Sequence, residues 1–126
     1  MAAVTAADFT AMIDKLPQGA GFRFVSGVTT IDLDTLMIEA FVVVTEQMCH
    51  GHLEYVPLLP SVLVEEAIAQ AACLLIFADP RYADMLPVFR GLREVQQGGA
   101  IFPGDYVALS AVITLDPRSN ESYYAG

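Results

Sequence analysis

The sequence has little positive charge. Its 126 residues include six Lys or Arg against fifteen Asp or Glu, which gives a formal net charge of -9. Proteins that bind nucleic acid neutralise phosphates with clustered Lys and Arg. The composition therefore argues against a nucleic-acid partner.

Cysteine and histidine are also scarce, at two residues each. Two thiols, Cys49 and Cys73, are too few for a disulfide framework. Residues 1–9 contain neither the positively charged nor the apolar region of a secretory signal. We therefore expect free thiols and a cytoplasmic protein.

Apolar residues, in contrast, make up 55% of the chain, and charged residues only 17%. A chain of this length fits one domain, here residues 1–126, with a large core. Residues 62–78 form the longest apolar stretch, but Glu65, Glu66 and Gln70 interrupt it, and a membrane-spanning helix needs about 20 mostly apolar residues. The stretch is therefore predicted to be a buried helix without a membrane span.

Residue periodicity predicts the secondary structure. A short amphipathic helix is expected over residues 8–16 and a long helix over residues 61–78, with Ser61 as N-cap or first-turn residue. The long loop before it, residues 49–60, is broken by Gly51, Pro57 and Pro60. Four strands are expected, over residues 21–28, 37–47, 86–95 and 106–115. A polar connection at residues 29–34 joins the first two.

This order of elements predicts an α+β fold. No alternation of strand and helix demands a parallel sheet. Because the long helix is apolar in nearly every direction, it must be enclosed. An antiparallel β-sheet wrapped around a central apolar α-helix fits best.

The run Cys49-His50-Gly51-His52, just before the long helix, carries the most reactive side chains. It allows a zinc site, although a structural zinc site has four ligands and the chain contains only two histidines and two cysteines. It also allows a cysteine nucleophile activated by an imidazole. The third interpretation is two loop histidines without a role.

Two acids on the long helix favour a catalytic interpretation. A carboxylate among apolar side chains is costly to bury. The positive end of the helix dipole accounts for one acid near the helix start more easily than for two. Glu66 and Gln70 are four residues apart and share a face, whereas Glu65 points about 100° away.

These residues resemble a known signature. Gly51-His52, Pro57, Pro60, Val62-Leu63, Glu66-Ala67 and Ala69-Gln70 are similar to G-H-F-P-x-x-P-x-M-P-G-V-L-x-x-E-A-x-A-Q, the signature of FabZ-type 3-hydroxyacyl-[acyl-carrier-protein] dehydratases. Pro103-Gly104-Asp105 resembles the family's P-G-D turn. The chain departs from the signature at Leu53-Glu54-Tyr55-Val56 and at Ser61.

The resemblance implies a hotdog fold and a cofactor-free lyase of fatty acid or polyketide-type biosynthesis, whose substrate is an acyl thioester on acyl carrier protein or CoA. It implies a homodimer or higher homo-oligomer, with a hetero-oligomer as an alternative. His52 of one subunit and Glu66 of the other would be catalytic. The substrate-binding residues it suggests are Pro60, Val62, Leu63, Val64, Ile68 and Gln70.

The resemblance also implies that the chain lacks part of the family's C-terminal strands. This feature and the altered loop support a second hypothesis, a catalytically silent hotdog subunit that binds acyl chains or pairs with an active dehydratase. A third hypothesis is a hotdog acyl thioesterase, because those enzymes also place an acid on this helix.

Overall fold

The computed structural model describes residues 11, 13–82, 84, 95–96, 98–115 and 122–125. Within them the chain forms a 3-10 turn at Ala20–Phe22, four strands and two helices that are described over their whole length. The helices are α1 (Glu46–Cys49) and α2 (Ser61–Ala78), and the strands are β1 (Gly27–Asp32), β2 (Met37–Val43), β3 (Tyr106–Leu115) and β4 (Ser122–Ala125). The predicted helix at residues 8–16 is described in part: residues 11, 13 and 14 are helical, and residues 8–10 and 12 lie outside the described residues. The predicted strand at residues 86–95 lies outside them except for Val95, which is not in a strand.

The four described strands form one antiparallel sheet in the order β1-β2-β3-β4. On the inner face, Ile38 pairs with Ala111 and Ala40 pairs with Leu109 across β2 and β3, and all four are buried. Helix α2 packs against these two strands. The predicted antiparallel sheet around one apolar helix is confirmed.

Helix α2 begins and ends where the sequence predicts. Pro60 occupies the N-cap position without a capping side chain, so Ser61 is a first-turn residue. The helix is long and apolar enough to cross a membrane by length and composition. Its side chains Ala67, Ala71, Leu74 and Leu75 are at most 1% exposed, as expected of a core helix.

The first strand differs from the prediction of residues 21–28. It starts at Gly27 and continues to Asp32, through most of the segment predicted as a polar connection. The turn is confined to residues 33–36, where Asp32 accepts hydrogen bonds from the backbone N–H groups of Asp34 and Thr35. The β-branched residues Thr29, Thr30 and Ile31 suit a strand despite two hydroxyls.

Residues 22–24 do not pair in the sheet, because the Gln70 side chain on α2 forms hydrogen bonds with the backbone of Phe22 and Phe24. The Gln70 amide oxygen accepts from the Phe24 N–H at 2.9 Å, and the Gln70 Nε2 donates to the Phe22 carbonyl at 2.8 Å. These two hydrogen bonds therefore join the segment to α2 instead of to a neighbouring strand.

The second strand is shorter than the predicted residues 37–47. It stops at Val43, and Thr45 then caps α1 by accepting a hydrogen bond from the Met48 N–H. Helix α1 leads directly into the loop that carries the two histidines.

Candidate active site

The loop after α1 presents His52. Gly51 has a φ of 78°, in the left-handed region that glycine adopts without strain. His52 is exposed, and its Nδ1 lies 3.0 Å from the Leu58 carbonyl oxygen. Because a carbonyl only accepts, Nδ1 must carry a proton, which leaves the Nε2 of the neutral ring with a free lone pair. That nitrogen is suited to act as a base.

His52 opens into a surface concavity. Exposed apolar side chains surround it, including Leu53, Tyr55 and Phe102, with Tyr55 89% exposed. Its complete lining is Glu46, Cys49, His50, Gly51, His52, Leu53, Glu54, Tyr55, Val56, Pro57, Phe102 and Pro103. The concavity is accessible to a ligand or to another protein surface.

Glu66 lies in the second turn of α2 and is half-buried. Its Oε1 accepts a hydrogen bond from the Gln70 Nε2 at 3.0 Å and one from the Gln18 Nε2 at 3.4 Å. The carboxyl is thus held in a polar cluster rather than turned freely into bulk water. Sequence reasoning paired Glu66 with Gln70 but missed Gln18, which carries no local signal.

Cys73 lies on the same face of α2, seven residues after Glu66. Burial, and after it the neighbouring Glu66 carboxylate, raises the pKa of the Cys73 thiol to about 11. Burial also raises the pKa of Cys49, which is 3% exposed. Reactive cysteines need the opposite shift, so neither described thiol fits the nucleophile considered above.

His52 and Glu66 occupy different places on the single chain. No hydrogen bond joins them among the described residues, and Glu66 is absent from the lining of the His52 concavity. Within the described part of the chain, no three His, Cys, Asp or Glu side chains form a group that could hold a metal ion. The pairing of His52 with Glu66 from another subunit stays a prediction.

The predicted substrate-binding residues fall into three environments. Leu63 and Val64 line an apolar cavity of about 10 Å³ under the start of α2, barely the volume that holds a water molecule. Val62 is 62% exposed, while Pro60 and Ile68 are partly buried. Gln70 is 1% exposed, and its amide is occupied by Phe22, Phe24 and Glu66.

An antiparallel sheet packed on one long apolar helix is the architecture of a hotdog domain. The FabA-like domain model matches residues 16–121. The chain therefore belongs to the FabA-like family.

Relatives with described functions are similar over most of the chain. The 3-hydroxyacyl-[acyl-carrier-protein] dehydratase FabZ of Lactococcus lactis subsp. lactis (strain IL1403) is 31% identical over 102 residues, which cover 81% of this chain and 71% of the relative. FabZ of Polynucleobacter necessarius subsp. necessarius (strain STIR1) is 30% identical over 117 residues, covering 92% and 78%. FabZ of Streptococcus pneumoniae (strain Hungary19A-6) is 28% identical over 104 residues, covering 82% and 74%.

Proposed function

We propose that the protein is a hydro-lyase that converts 3-hydroxyacyl thioesters into trans-2-enoyl thioesters in fatty acid biosynthesis. The observation that carries this proposal is the state of the two site residues. The His52 Nδ1 lies against the Leu58 carbonyl oxygen, which leaves Nε2 as the base of the neutral ring, and Glu66 is anchored through one carboxyl oxygen. A dehydration needs a base and an acid of this kind.

In the proposed reaction, the His52 Nε2 takes a proton from C2 of the substrate. The C3–O bond breaks as the C2–C3 double bond forms, and the leaving hydroxyl takes the proton of Glu66 and departs as water. Transfer of a proton from His52 to Glu66 through solvent restores the starting state. No oxidation or reduction occurs, so the reaction requires no redox cofactor.

The complete site requires two copies of the chain in this proposal. The His52 concavity is open to solvent on the single chain, and Glu66 does not line it. A dimer that brings Glu66 of one subunit to His52 of the other would close the site and exclude water. It would also supply room for an acyl chain, which the cavity of about 10 Å³ beside Leu63 and Val64 does not.

The thioester carrier proposed is acyl carrier protein, as the names of the FabZ relatives indicate. Docking an acidic carrier onto a protein of net charge -9 requires a local positive patch. Arg81 is exposed, but it forms hydrogen bonds with both carboxyl oxygens of Asp79. Arg90 and Arg93 lie outside the described residues.

The relatives do not favour the two alternative functions, a silent subunit and a thioesterase. We propose a soluble cytoplasmic protein, because one face of α2, including Ala71, Leu74 and Leu75, is buried in the core and the helix packs against the sheet.

The test is a spectrophotometric assay of crotonyl-thioester hydration, with the acyl group on carrier protein and on CoA. His52→Ala and Glu66→Gln are expected to lower the rate at least a hundredfold, a typical contribution of one acid–base group. The chain offers a matched control, because Glu65→Gln changes the neighbouring acid on α2 and should retain activity. Wild-type protein without turnover on either thioester would contradict the proposal.

A further inference from the structure

Gln18 contacts the carboxyl of Glu66 from a distant part of the chain. Its Nε2 donates to the Glu66 Oε1 at 3.4 Å, the same oxygen that accepts from the Gln70 Nε2 at 3.0 Å. One carboxyl oxygen is therefore held between two amides, one from α2 and one from the segment before β1.

The backbone around Gln18 is fixed by other groups. The Arg23 guanidinium donates to the Gln18 carbonyl at 2.8 Å and to the carbonyls of Leu16 and Asp14 at 3.3 Å. Gln70 binds the Phe22 carbonyl at 2.8 Å. The segment is therefore anchored on both sides of Gln18 without help from the Gln18 side chain.

The Gln18 side chain is poorly suited to a purely stabilising role. Its Oε1 is buried and has no hydrogen-bond partner among the described residues, and an unpaired buried acceptor costs free energy. Rotating the Gln18 amide by 180° would not remove this cost, because the Gln18 oxygen would then face the Glu66 Oε1, and both atoms are hydrogen-bond acceptors. What the amide achieves in this position is contact with Glu66.

We propose that Gln18 is a positioning residue for the acid of the reaction. Together with Gln70 it occupies the Glu66 Oε1, so the proton delivered to the leaving hydroxyl is carried on Oε2. A proton on Oε1 would oppose the two N–H groups that point at it. The C3–O bond of the substrate then breaks as the Oε2–H proton moves to the departing oxygen. This inference rests on the proposed dehydratase function.

The test replaces Gln18 by Met, which keeps the side-chain length and removes the amide. The kcat of dehydration is expected to fall on the order of tenfold, the effect of losing one hydrogen bond to a charged group. KM should not change, and the melting temperature should stay at or above that of the wild type. Gln96→Met, at an exposed position, is the matched control and should change none of the three.

A second variant, Gln18→Asn, keeps an amide but withdraws it from Glu66, and we expect the same loss of kcat. Wild-type kcat in both Gln18 variants, with Glu66→Gln inactive, would overturn this inference and leave the proposed function standing. If both variants lost activity only in proportion to their loss of folded protein, Gln18 would be structural and the inference would also fall. Wild-type activity in Glu66→Gln would instead overturn the proposed function itself.

Discussion

Replacing Gln70 by Met tests how α2 is joined to the segment before β1. Gln70 is 1% exposed, and its amide makes three hydrogen bonds, to Phe22, Phe24 and Glu66. Met has nearly the same size and fills the same space, but it can make none of them. The perturbation therefore removes polar contacts while leaving the packing largely intact.

The expected cost follows from the burial of the groups left behind. Phe22 is 50% exposed, so water can replace Gln70 at its carbonyl. Phe24 is 9% exposed, and its unpaired N–H costs about 1–3 kcal/mol. With the lost bond to the Glu66 carboxyl added, we expect a decrease of about 3 kcal/mol in the free energy of unfolding, or roughly 10 °C in melting temperature for a chain of this size.

The assay is urea denaturation followed by circular dichroism, at one fixed protein concentration because an oligomer's stability depends on it. Gln47→Met on α1 is the control, since Gln47 is exposed and should change stability by less than about 0.5 kcal/mol. A Gln70→Met protein within about 1 kcal/mol of this control would refute the reasoning, because the three bonds would then contribute almost nothing.

Three further predictions concern the rest of the described chain. The Arg81 guanidinium lowers the pKa of the buried Asp79 by hydrogen bonding. The ionised Asp79 therefore stabilises the fold above its ordinary pKa of 3.8, and this contribution is lost as the pH falls through the lower pKa of the folded state. Acid titration should destabilise wild type more than Asp79→Asn, and equal acid sensitivity would contradict this. Gly51→Ala should lower the free energy of unfolding by about 1–2 kcal/mol in a urea titration, because Ala resists a left-handed backbone, and should also lower activity because Gly51 precedes His52. The control Gly19→Ala, at a position without positive φ or a close neighbour, should change neither. Equal effects of the two variants would refute the strain argument. Cys49 and Cys73 have raised pKa values, so iodoacetamide at pH 8 should label both slowly in the native protein and quickly after denaturation, and rapid native labelling would be the contrary result.

Local sequence patterns were sufficient to predict α2 and the alternating strand β3. Helix α2 is continuous and free of Pro and Gly. In β3 the inward residues Leu109, Ala111 and Ile113 alternate with an exposed set that includes Ser110 and Thr114. In each case local preference and burial agree, which makes the pattern readable.

The first strand could not be placed because a tertiary contact decides where it begins. The apolar residues Phe22, Phe24 and Val25 look like a strand, yet the Gln70 side chain takes the hydrogen bonds of Phe22 and Phe24. Strand β1 therefore starts later, at Gly27, where the backbone can pair with β2. Gln70 is 46 residues from Phe24, so no local window contains this information.

The candidate site, like the fold, was predictable only where local sequence spacing decides it. The spacing of His52 and Glu66 and the shared face of Glu66 and Gln70 can be read from the sequence. The contact of Gln18 with Glu66 spans 48 residues and comes from a segment without regular structure. The meeting of His52 and Glu66, if two subunits form the site, depends on an interface that local sequence patterns do not describe.

In the proposed dehydratase, each site combines His52 of one subunit with Glu66 of the other. The most direct test of this claim mixes two inactive variants, His52→Ala and Glu66→Gln, under conditions that allow subunits to exchange. A mixed dimer would contain one site with both native residues, so an equal mixture with random pairing should recover about a quarter of wild-type activity. A mixture that stays as inactive as the separate variants, although exchange is demonstrated by labelled subunits, would contradict the claim.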